Sequence, residues 1–403
     1  MEFKKWNGFC LRSLGGRMPA DAQTVEAAFA PLVLLVDGDP KNSRGLFAVK
    51  DLDELWDSEG IAALLPPTRR TSEPLLRDFV ARNGAAVLNT AFQNAFSFLC
   101  APKKKDGLRV TLVGLGDVGG TLLTALKLLG APFSEISIFD PNEALCRRYE
   151  LELNQVLYRS TPRVRICPPE ELFDCDLFLF TASRGVPPPD SAVTDVRMAQ
   201  FAANRKLVAH YAKKAREASF DGLFCQISDP VDPLSRVAFL ESNRDENGMF
   251  DAAGLLPEQV CGFGLGVMTA RAAYYAEKMG LDFGRGRVYG PHGAELIVAN
   301  DPLDYDDALS RRLTRATVEA NLRVRELGFK PYIAPALSSA ALSILRLIEG
   351  EEFCGAIPLG RAYFGCRCRM TPFGVQTVRE ELAKPLCARL EAAYRRLEEF
   401  DYD

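Results

Sequence analysis

The chain has 403 residues, of which 47% are hydrophobic and 25% charged, and this length predicts two or three domains. The net charge of −4 argues against a nucleic-acid-binding surface. No apolar run reaches the ~20 residues of a membrane helix, and the N-terminus lacks the apolar core of a signal peptide. The eleven scattered cysteines are expected to be reduced thiols, which favours a cytoplasmic protein without a metal site.

Residues 1–101 contain no catalytic constellation. Apolar, β-rich runs predict strands over 31–36 and 45–49, and helical spacing predicts helices over 51–65 and 72–99. The region is an oligomerisation module, a partner-binding module or an extension packed on the core, and the sequence does not choose among the three. Residues 101–107 are a predicted linker.

A glycine-rich stretch over residues 109–126 combines a short apolar strand, a turn and an amphipathic helix. Gly114 permits the turn, Gly116 lets backbone amides approach a pyrophosphate, and Gly119 lets the helix pack close to the strand. The amides and the positive end of the helix dipole attract an anion. This context predicts dinucleotide binding, because the glycines fall between a strand and a helix.

A second predicted strand, residues 136–139, ends at Asp140, about twenty residues beyond the glycines. The dinucleotide motif places a carboxylate there on the ribose 2′-hydroxyl. Since a carboxylate repels a 2′-phosphate, Asp140 favours NAD over NADP. The alternative is a glycine turn in some other α/β sheet, with Asp140 capping a loop.

Strands and helices alternate from residue 108 onward, which is the pattern of a parallel, doubly wound sheet. Strands are predicted over 164–167, 177–180 and 222–228, and helices over 143–155 and 195–218. Ligands of such sheets bind outside the carboxyl ends of the strands, so the loops that begin at Thr181 and Asp229 are expected to face the cofactor or substrate.

Seven short motifs in this order resemble the lactate/malate dehydrogenase family of NAD-dependent L-2-hydroxy acid dehydrogenases. The resemblance covers about residue 108 to the C-terminus, and residues 1–101 fall outside it. The matching segments are residues 113–119, 139–140, 181–183, 195–204, 227–232, 269–271 and 290–293.

The resemblance implies hydride transfer between NAD(H) and a 2-hydroxy or 2-oxo acid. It assigns the general acid/base to His292, the substrate carboxylate to Arg271, and carbonyl polarisation to Arg197 in a mobile loop. Arg271 is expected to begin a helix over 270–279. His210, in mid-helix, is interpreted as structural. The residues that it assigns to cofactor binding are Gly114, Gly116, Asp117, Val118, Gly119, Asp140, Thr181, Ala182, Ser183 and Asn204.

Two departures from the family pattern fall near the expected reacting centre. The family has an aspartate three residues before the carboxylate-binding arginine, where this chain has Met268. The family has an asparagine where this chain has Asp229. Either Asp229 replaces the missing partner of His292, or the acid/base relay is lost and the protein is a weak enzyme or a cofactor-binding relative.

The segment between Thr181 and Arg197 is longer than its counterpart in the family, so the residue that sets substrate specificity cannot be aligned. Arg184 suits a dicarboxylate, and Ser191 suits a smaller acid; Asp190 is a third candidate. Asn204 and Ser338 are also assigned to the substrate pocket, with Ser339 as the alternative to Ser338.

The predicted fold is α/β: a Rossmann domain over 107–259, an α+β catalytic domain over 260–403, and a small N-terminal α/β module over 1–101. The favoured function is a lactate/malate-type oxidoreductase with a small-molecule acid as substrate. The alternative is a catalytically impaired NAD-binding relative that acts through a partner of its N-terminal module. The resemblance also implies a homo-oligomer, either a dimer or a tetramer.

Overall fold

The computed structural model describes residues 2–402 except 56–58, 71–72, 102–103, 105, 131, 159–160, 185–195 and 294, and it describes only the backbone of 196–199. No helix within these residues is long and apolar enough to cross a membrane. All eleven cysteines are described and free, as the sequence predicted.

The N-terminal region forms six strands and two short helices. They are β1 (Phe3–Trp6), β2 (Phe9–Ser13), β3 (Gln23–Val25), β4 (Leu32–Val36), β5 (Leu46–Val49), α1 (Pro74–Asn83), β6 (Ala85–Asn89) and α2 (Ala95–Cys100).

The strands predicted over 31–36 and 45–49 are confirmed as β4 and β5. The single helix predicted over 72–99 is wrong, because Gly84, at a φ of 72°, ends α1 and the fully buried run 85–89 continues as a strand. The helix predicted over 51–65 is also wrong; the described part of that segment forms the short 3₁₀ turns Leu52–Leu55 and Gly60–Leu64.

The central region alternates strand and helix, as predicted. Its elements are β7 (Leu108–Val113), α3 (Asp117–Leu129), β8 (Phe133–Phe139), α4 (Glu143–Leu153), β9 (Arg163–Ile166), β10 (Leu177–Phe180), α5 (Val196–Glu217), β11 (Leu223–Gln226), α6 (Val231–Ser242) and β12 (Val260–Gly262). The six strands are parallel in the order β12-β11-β10-β7-β8-β9. This is the strand order of the Rossmann fold and confirms the predicted fold class. The last parallel strand, β12, begins at Val260, just beyond the domain boundary predicted at residue 259.

The C-terminal region is mixed. It comprises α7 (Leu265–Lys278), β13 (Arg287–Tyr289), β14 (Ile297–Ala299), α8 (Asp307–Val318), α9 (Ala320–Glu326), α10 (Leu342–Glu349), β15 (Phe353–Pro358), β16 (Tyr363–Thr371), β17 (Gly374–Thr377) and α11 (Lys384–Glu398). A π-helical segment, Pro335–Ala341, leads into α10. The helix predicted to start at residue 270 starts at Leu265 instead, so Arg271 lies in the middle of α7.

The N-terminal strands extend the same sheet. Beyond β12 the order is β15-β16-β17-β5-β6-β4-β2-β1-β3. The Rossmann strands meet the C-terminal strands through one residue pair, Gly262 with Ala356, and β17 meets β5 through Val375 and Phe47. The N-terminal module is therefore packed on the core as an extension of its sheet.

A buried carboxylate fixes this junction. Glu258, just before β12, accepts hydrogen bonds from the backbone N–H groups of Gly45 (2.9 and 3.1 Å) and Leu46 (2.9 Å) at the start of β5. Burial raises the pKa of Glu258 to about 7, while these donors and the nearby Arg44 charge act in the opposite direction. One side chain of the core thus holds the N-terminal module in register.

Replacing Glu258 with alanine should lower the free energy of unfolding by about 2–4 kcal/mol, because two buried N–H groups lose their acceptor. Urea denaturation of the full chain measures the change. The exposed Glu170 provides a matched control, and Glu170→Ala should stay within about 0.5 kcal/mol of the parent. Equal, small effects of the two substitutions would show that Glu258 does not anchor the module.

Candidate active site

The glycine turn after β7 is as tight as the sequence predicted. Gly114 has a φ of 96°, and a Cβ there would come within 2.6 Å of Ala182 Cα. A Cβ on Gly119 would lie 1.9 Å from the Gly114 carbonyl oxygen, so only glycine lets α3 start this close to β7. Gly116, by contrast, is exposed and faces open space. The surface at the start of α3 is therefore open to an anion.

The first turn of α3 carries one unexpected contact. Asp117 is exposed, and its Oδ2 lies 2.9 Å from Lys330 Nζ, in the segment after α9. Val118, the next residue, is half-buried. Lys330 places a cation beside the glycine turn. No signal in the sequence pointed to this lysine, because 213 residues separate it from Asp117.

Asp140 lies directly after β8, next to the glycine turn. Its Oδ2 accepts the Leu115 N–H at 2.8 Å, and its Oδ1 accepts the Asn142 N–H at 2.9 Å. The carboxylate is half-buried, and its two hydrogen bonds fix the backbone of the turn. It lies at the position where the dinucleotide motif has the carboxylate that binds the ribose.

The loop after β10 borders the same turn. The Thr181 hydroxyl donates to the carbonyl oxygens of Gly114 (2.6 Å) and Val113 (3.0 Å). Ala182 packs on Gly114, and Ser183 is exposed. All three residues lie at the carboxyl edge of the parallel sheet, as predicted for the cofactor loop.

Asn204, on α5, joins two of these loops. Its Nδ2 donates to Ser183 Oγ (3.2 Å) and to the Asp229 carbonyl oxygen (2.7 Å), and its Oδ1 accepts the Arg184 N–H (2.9 Å). The side chain is completely buried. Both donor hydrogens are used by protein groups, so this amide positions the loops; its direct contact with substrate or cofactor stays a prediction.

The two acid/base candidates face each other. His292 Nε2 lies 3.6 Å from Asp229 Oδ1, with 15% and 48% of the respective side chains exposed. The imidazole packs against the start of α7, where a Cβ on Gly264 would come within 2.8 Å of the ring. His292 Nδ1 is buried and has no hydrogen-bond partner among the described residues. The exposed edge of the ring is therefore the one that faces Asp229.

A second carboxylate holds the histidine loop. Asp232, fully buried in the first turn of α6, accepts the His292 backbone N–H at 2.8 Å through Oδ2. Its Oδ1 has no partner among the described residues, and burial raises the pKa of Asp232 to about 7. No role was predicted for Asp232 from the sequence, although it lies within the family-like segment 227–232.

Arg271 points from mid-helix toward the same region. Its Nη2 donates to Asn321 Oδ1, and its Nη1 lies 3.8 Å from Met268 Sδ. Burial lowers the pKa of Arg271, and the Asp229 charge opposes that shift. Met268 is 3% exposed and belongs to an apolar cluster with Leu265. The position that carries an acid in the family is thus an apolar one here.

Sequence comparison identifies relatives. The chain is 27% identical to malate dehydrogenase of Sulfurimonas denitrificans over 198 residues, 48% of this chain and 57% of that protein. It is 29% identical to L-lactate dehydrogenase of Staphylococcus epidermidis over 177 residues, 43% of this chain and 51% of that protein. The chain spans about half the length of these curated relatives. No family profile matches the chain.

The fold agrees with this relationship. The structure of malate dehydrogenase from Archaeoglobus fulgidus in complex with NADH superposes with a TM-score of 0.59 over 72% of this chain and 98% of that one, at 17% identity. In sequence the chain is similar to lactate and malate dehydrogenases, and it has their fold.

The structure shows only part of the surroundings of the other predicted substrate residues. Arg184 is exposed beside the Asn204 amide. Ser338 is half-buried, whereas the Ser339 hydroxyl is buried and bonded to backbone at the start of α7. The side chain of Arg197 lies outside the described residues, as do Asp190 and Ser191. Within the described residues, no group of three or more His, Cys, Asp and Glu side chains could hold a metal ion.

Asp232→Asn tests the raised pKa. Because the folded protein binds a proton at Asp232 up to about pH 7 and the unfolded chain only to about 3.8, this residue favours folding at low pH, and its contribution is lost as the pH rises through 7. Asparagine keeps the acceptor for the His292 N–H but does not titrate. Between about pH 5 and pH 8 the variant should lose about 2–3 kcal/mol less stability than the parent.

Chemical denaturation across this pH range measures the difference. The exposed Asp304 serves as a control, and Asp304→Asn should leave the pH dependence unchanged. Parallel stability–pH curves for the parent and Asp232→Asn would show that Asp232 is ionised throughout the range.

Proposed function

We propose that the protein is an NAD-dependent oxidoreductase that interconverts a 2-hydroxy acid and a 2-oxo acid. One observation carries the proposal: an unbroken series of contacts runs from the glycine turn to the histidine. Gly114 packs on Ala182, Asn204 joins the next residue of that loop to Asp229, and Asp229 faces His292. The predicted cofactor loop and the predicted acid/base group therefore share one edge of the sheet.

The residues at the turn fit a dinucleotide. The open surface over Gly116 and the amides of the first turn of α3 suit a diphosphate, and the half-buried Asp140 suits a ribose hydroxyl. Lys330 adds a positive charge at the same place. NAD(H) supplies or accepts the hydride when bound, and the relative from Archaeoglobus fulgidus was solved with NADH. We infer NAD rather than NADP, because Asp140 would repel a 2′-phosphate.

His292 would carry the proton. In reduction of a 2-oxo acid, negative charge develops on the carbonyl oxygen, and the imidazolium donates a proton to it; in oxidation the neutral imidazole accepts that proton. Asp229 is the carboxylate that can balance the imidazolium, because its Oδ1 lies 3.6 Å from Nε2. The missing family aspartate at Met268 is thus replaced from the loop after β11.

Arg271 would bind the substrate carboxylate. The hydrogen bond to Asn321 holds its guanidinium in one orientation, and partial burial strengthens its interaction with an anion. Arg197 would polarise the substrate carbonyl, and Ser338 or Arg184 would contact the rest of the substrate. The proposed substrate is a small 2-oxo acid.

The full chain should oxidise NADH when it is given a panel of 2-oxo acids. His292→Ala should lower kcat by about 10³-fold, because the proton donor is lost. His210→Ala, the only other histidine substitution that the chain offers, should retain activity. Absorbance of NADH follows the reaction, and NADH binding is measured separately by fluorescence. Binding without turnover on every acid would favour the alternative of a catalytically impaired NAD-binding protein.

Asp229→Asn restores the family residue but removes the proposed partner of His292. Turnover should fall by about 10²-fold, and the pH profile of kcat should move, because no carboxylate then faces the imidazole. The double variant Asp229→Asn, Met268→Asp returns both positions to the family pattern and should recover part of the activity. An unchanged pH profile in Asp229→Asn would exclude Asp229 as the partner.

We also infer a cytoplasmic homo-oligomer. Four apolar side chains on or after α9 are more than half exposed, and burial against a second copy would remove them from water: Leu322, Leu327, Phe329 and Ile333. Sedimentation of the full chain distinguishes monomer from dimer and tetramer.

A further inference from the structure

A cavity of about 380 Å³ lies away from the candidate active site, at the opposite edge of the parallel sheet. It is reached at the first residues of three parallel strands, Leu108, Leu177 and Leu223, whereas the glycine turn and Asp229 follow the last residues. A six-residue strand such as β7 separates the two edges by about 20 Å. The cavity is therefore a separate feature of the fold.

Three parts of the chain enclose this space. Leu46 belongs to the N-terminal module, the three strand-initial leucines belong to the Rossmann sheet, and Leu347 and Val375 belong to the C-terminal region. We call the space bounded by Leu46, Leu108, Leu177, Leu223, Leu347 and Val375 the basal cavity. The space thus lies where the N-terminal module, the first residues of the parallel strands and the C-terminal strand β17 meet.

The wall of the basal cavity is mainly apolar and buried. Five of its six bounding residues are 5% exposed or less, and Leu223 is half-buried. The space opens at its rim, and Glu258 also lines it from the buried side. An apolar pocket of this kind takes up the apolar part of a ligand. A volume of 380 Å³ is in the range of sites for small ligands.

The rim of the cavity carries three aspartates and two basic residues. Asp174 pairs with Arg109 at 2.8 Å, and Asp176 pairs with Lys104 at 2.9 Å. Asp221 also lines the cavity, is exposed, and has no ion-pair partner in the described part of the chain. One negative charge at the rim is thus not balanced.

The carboxyl end of α10 adds to this negative potential. Leu347, Ile348 and Gly350 line the cavity at the last turn of that helix, where backbone carbonyls point outward and carry the negative end of the helix dipole. The backbone N–H of Gly350 donates to the carbonyls of Arg346 and Leu347. Because the two basic residues at the rim are already paired, Asp221, which is unpaired within the described residues, favours a cationic donor there.

We propose that the basal cavity binds a small amphiphile, with its apolar body among the leucines that bound the cavity and a cationic amine at the rim beside Asp221. The ligand would contact the N-terminal module, the Rossmann sheet and the C-terminal strands at once. Neither His292 nor the glycine turn takes part, so the proposal is independent of the dehydrogenase activity.

Calorimetric titration of the full chain with three probes that each contain eight carbon atoms tests the proposal. Octylammonium should bind at one site, at least about 10-fold more tightly than octanoate, with octanol between them, because the three differ chiefly in the charge of the head group. Binding of octanoate as tight as that of octylammonium, or no saturable binding of octylammonium, would overturn the proposal.

Two variants locate the site. Leu223→Trp should abolish octylammonium binding by filling the cavity, while Leu128→Trp, at a leucine that is 63% exposed on α3, should not change it. Asp221→Asn should weaken octylammonium about 3-fold without affecting octanol, and Asp304→Asn should affect neither. Asp221 is on the surface, so this second pair stays informative if Leu223→Trp does not fold. Unchanged octylammonium binding in Asp221→Asn would exclude the rim as the site of the amine.

Discussion

The carboxamide of Asn204 makes three hydrogen bonds that bring the loops after β10 and β11 to one place. Because the side chain is completely buried, no water can replace these bonds when a loop moves. The position of Asp229, and through it the pairing with His292, depends on this amide. The glycine turn is tied to the same loop from the other side by Thr181. A single buried polar side chain therefore connects the loop proposed to bind the cofactor with the loop that carries Asp229.

The carboxylates near His292 stand at other positions than in the family pattern. Met268 lies in an apolar cluster, where an unpaired acid would be costly to bury. Asp229 occupies a partly exposed loop, where its charge stays hydrated and still faces the imidazole. Asp232 fixes the backbone of His292 from the buried side. One carboxylate thus holds the backbone of His292, and another faces its ring.

The N-terminal module shares a sheet with the rest of the chain, and Glu258 holds the two together by accepting hydrogen bonds from backbone N–H groups of the module. The basal cavity lies at this junction, because both Leu46 of β5 and Glu258 line it. A ligand in that space would contact all three parts of the chain. The cavity and the candidate active site lie at opposite ends of the same parallel strands, which are rigid elements.

Local patterns in the sequence determined the Rossmann unit, because its strands are apolar runs that alternate with helices. The glycine-rich turn then marks the junction between the first strand and its helix. Local patterns also predicted that Asp140 lies directly after a strand and that His292 lies in a glycine-flanked turn after one. Sequence pattern alone predicts a helix at 85–89, where the structure has a strand, because the periodicity of so short an apolar run does not distinguish a buried strand from a buried helix. Only the tertiary structure revealed the contact of Asp232 with His292, the pairing of Lys330 with Asp117, and the continuous sheet, because these join residues far apart in the chain.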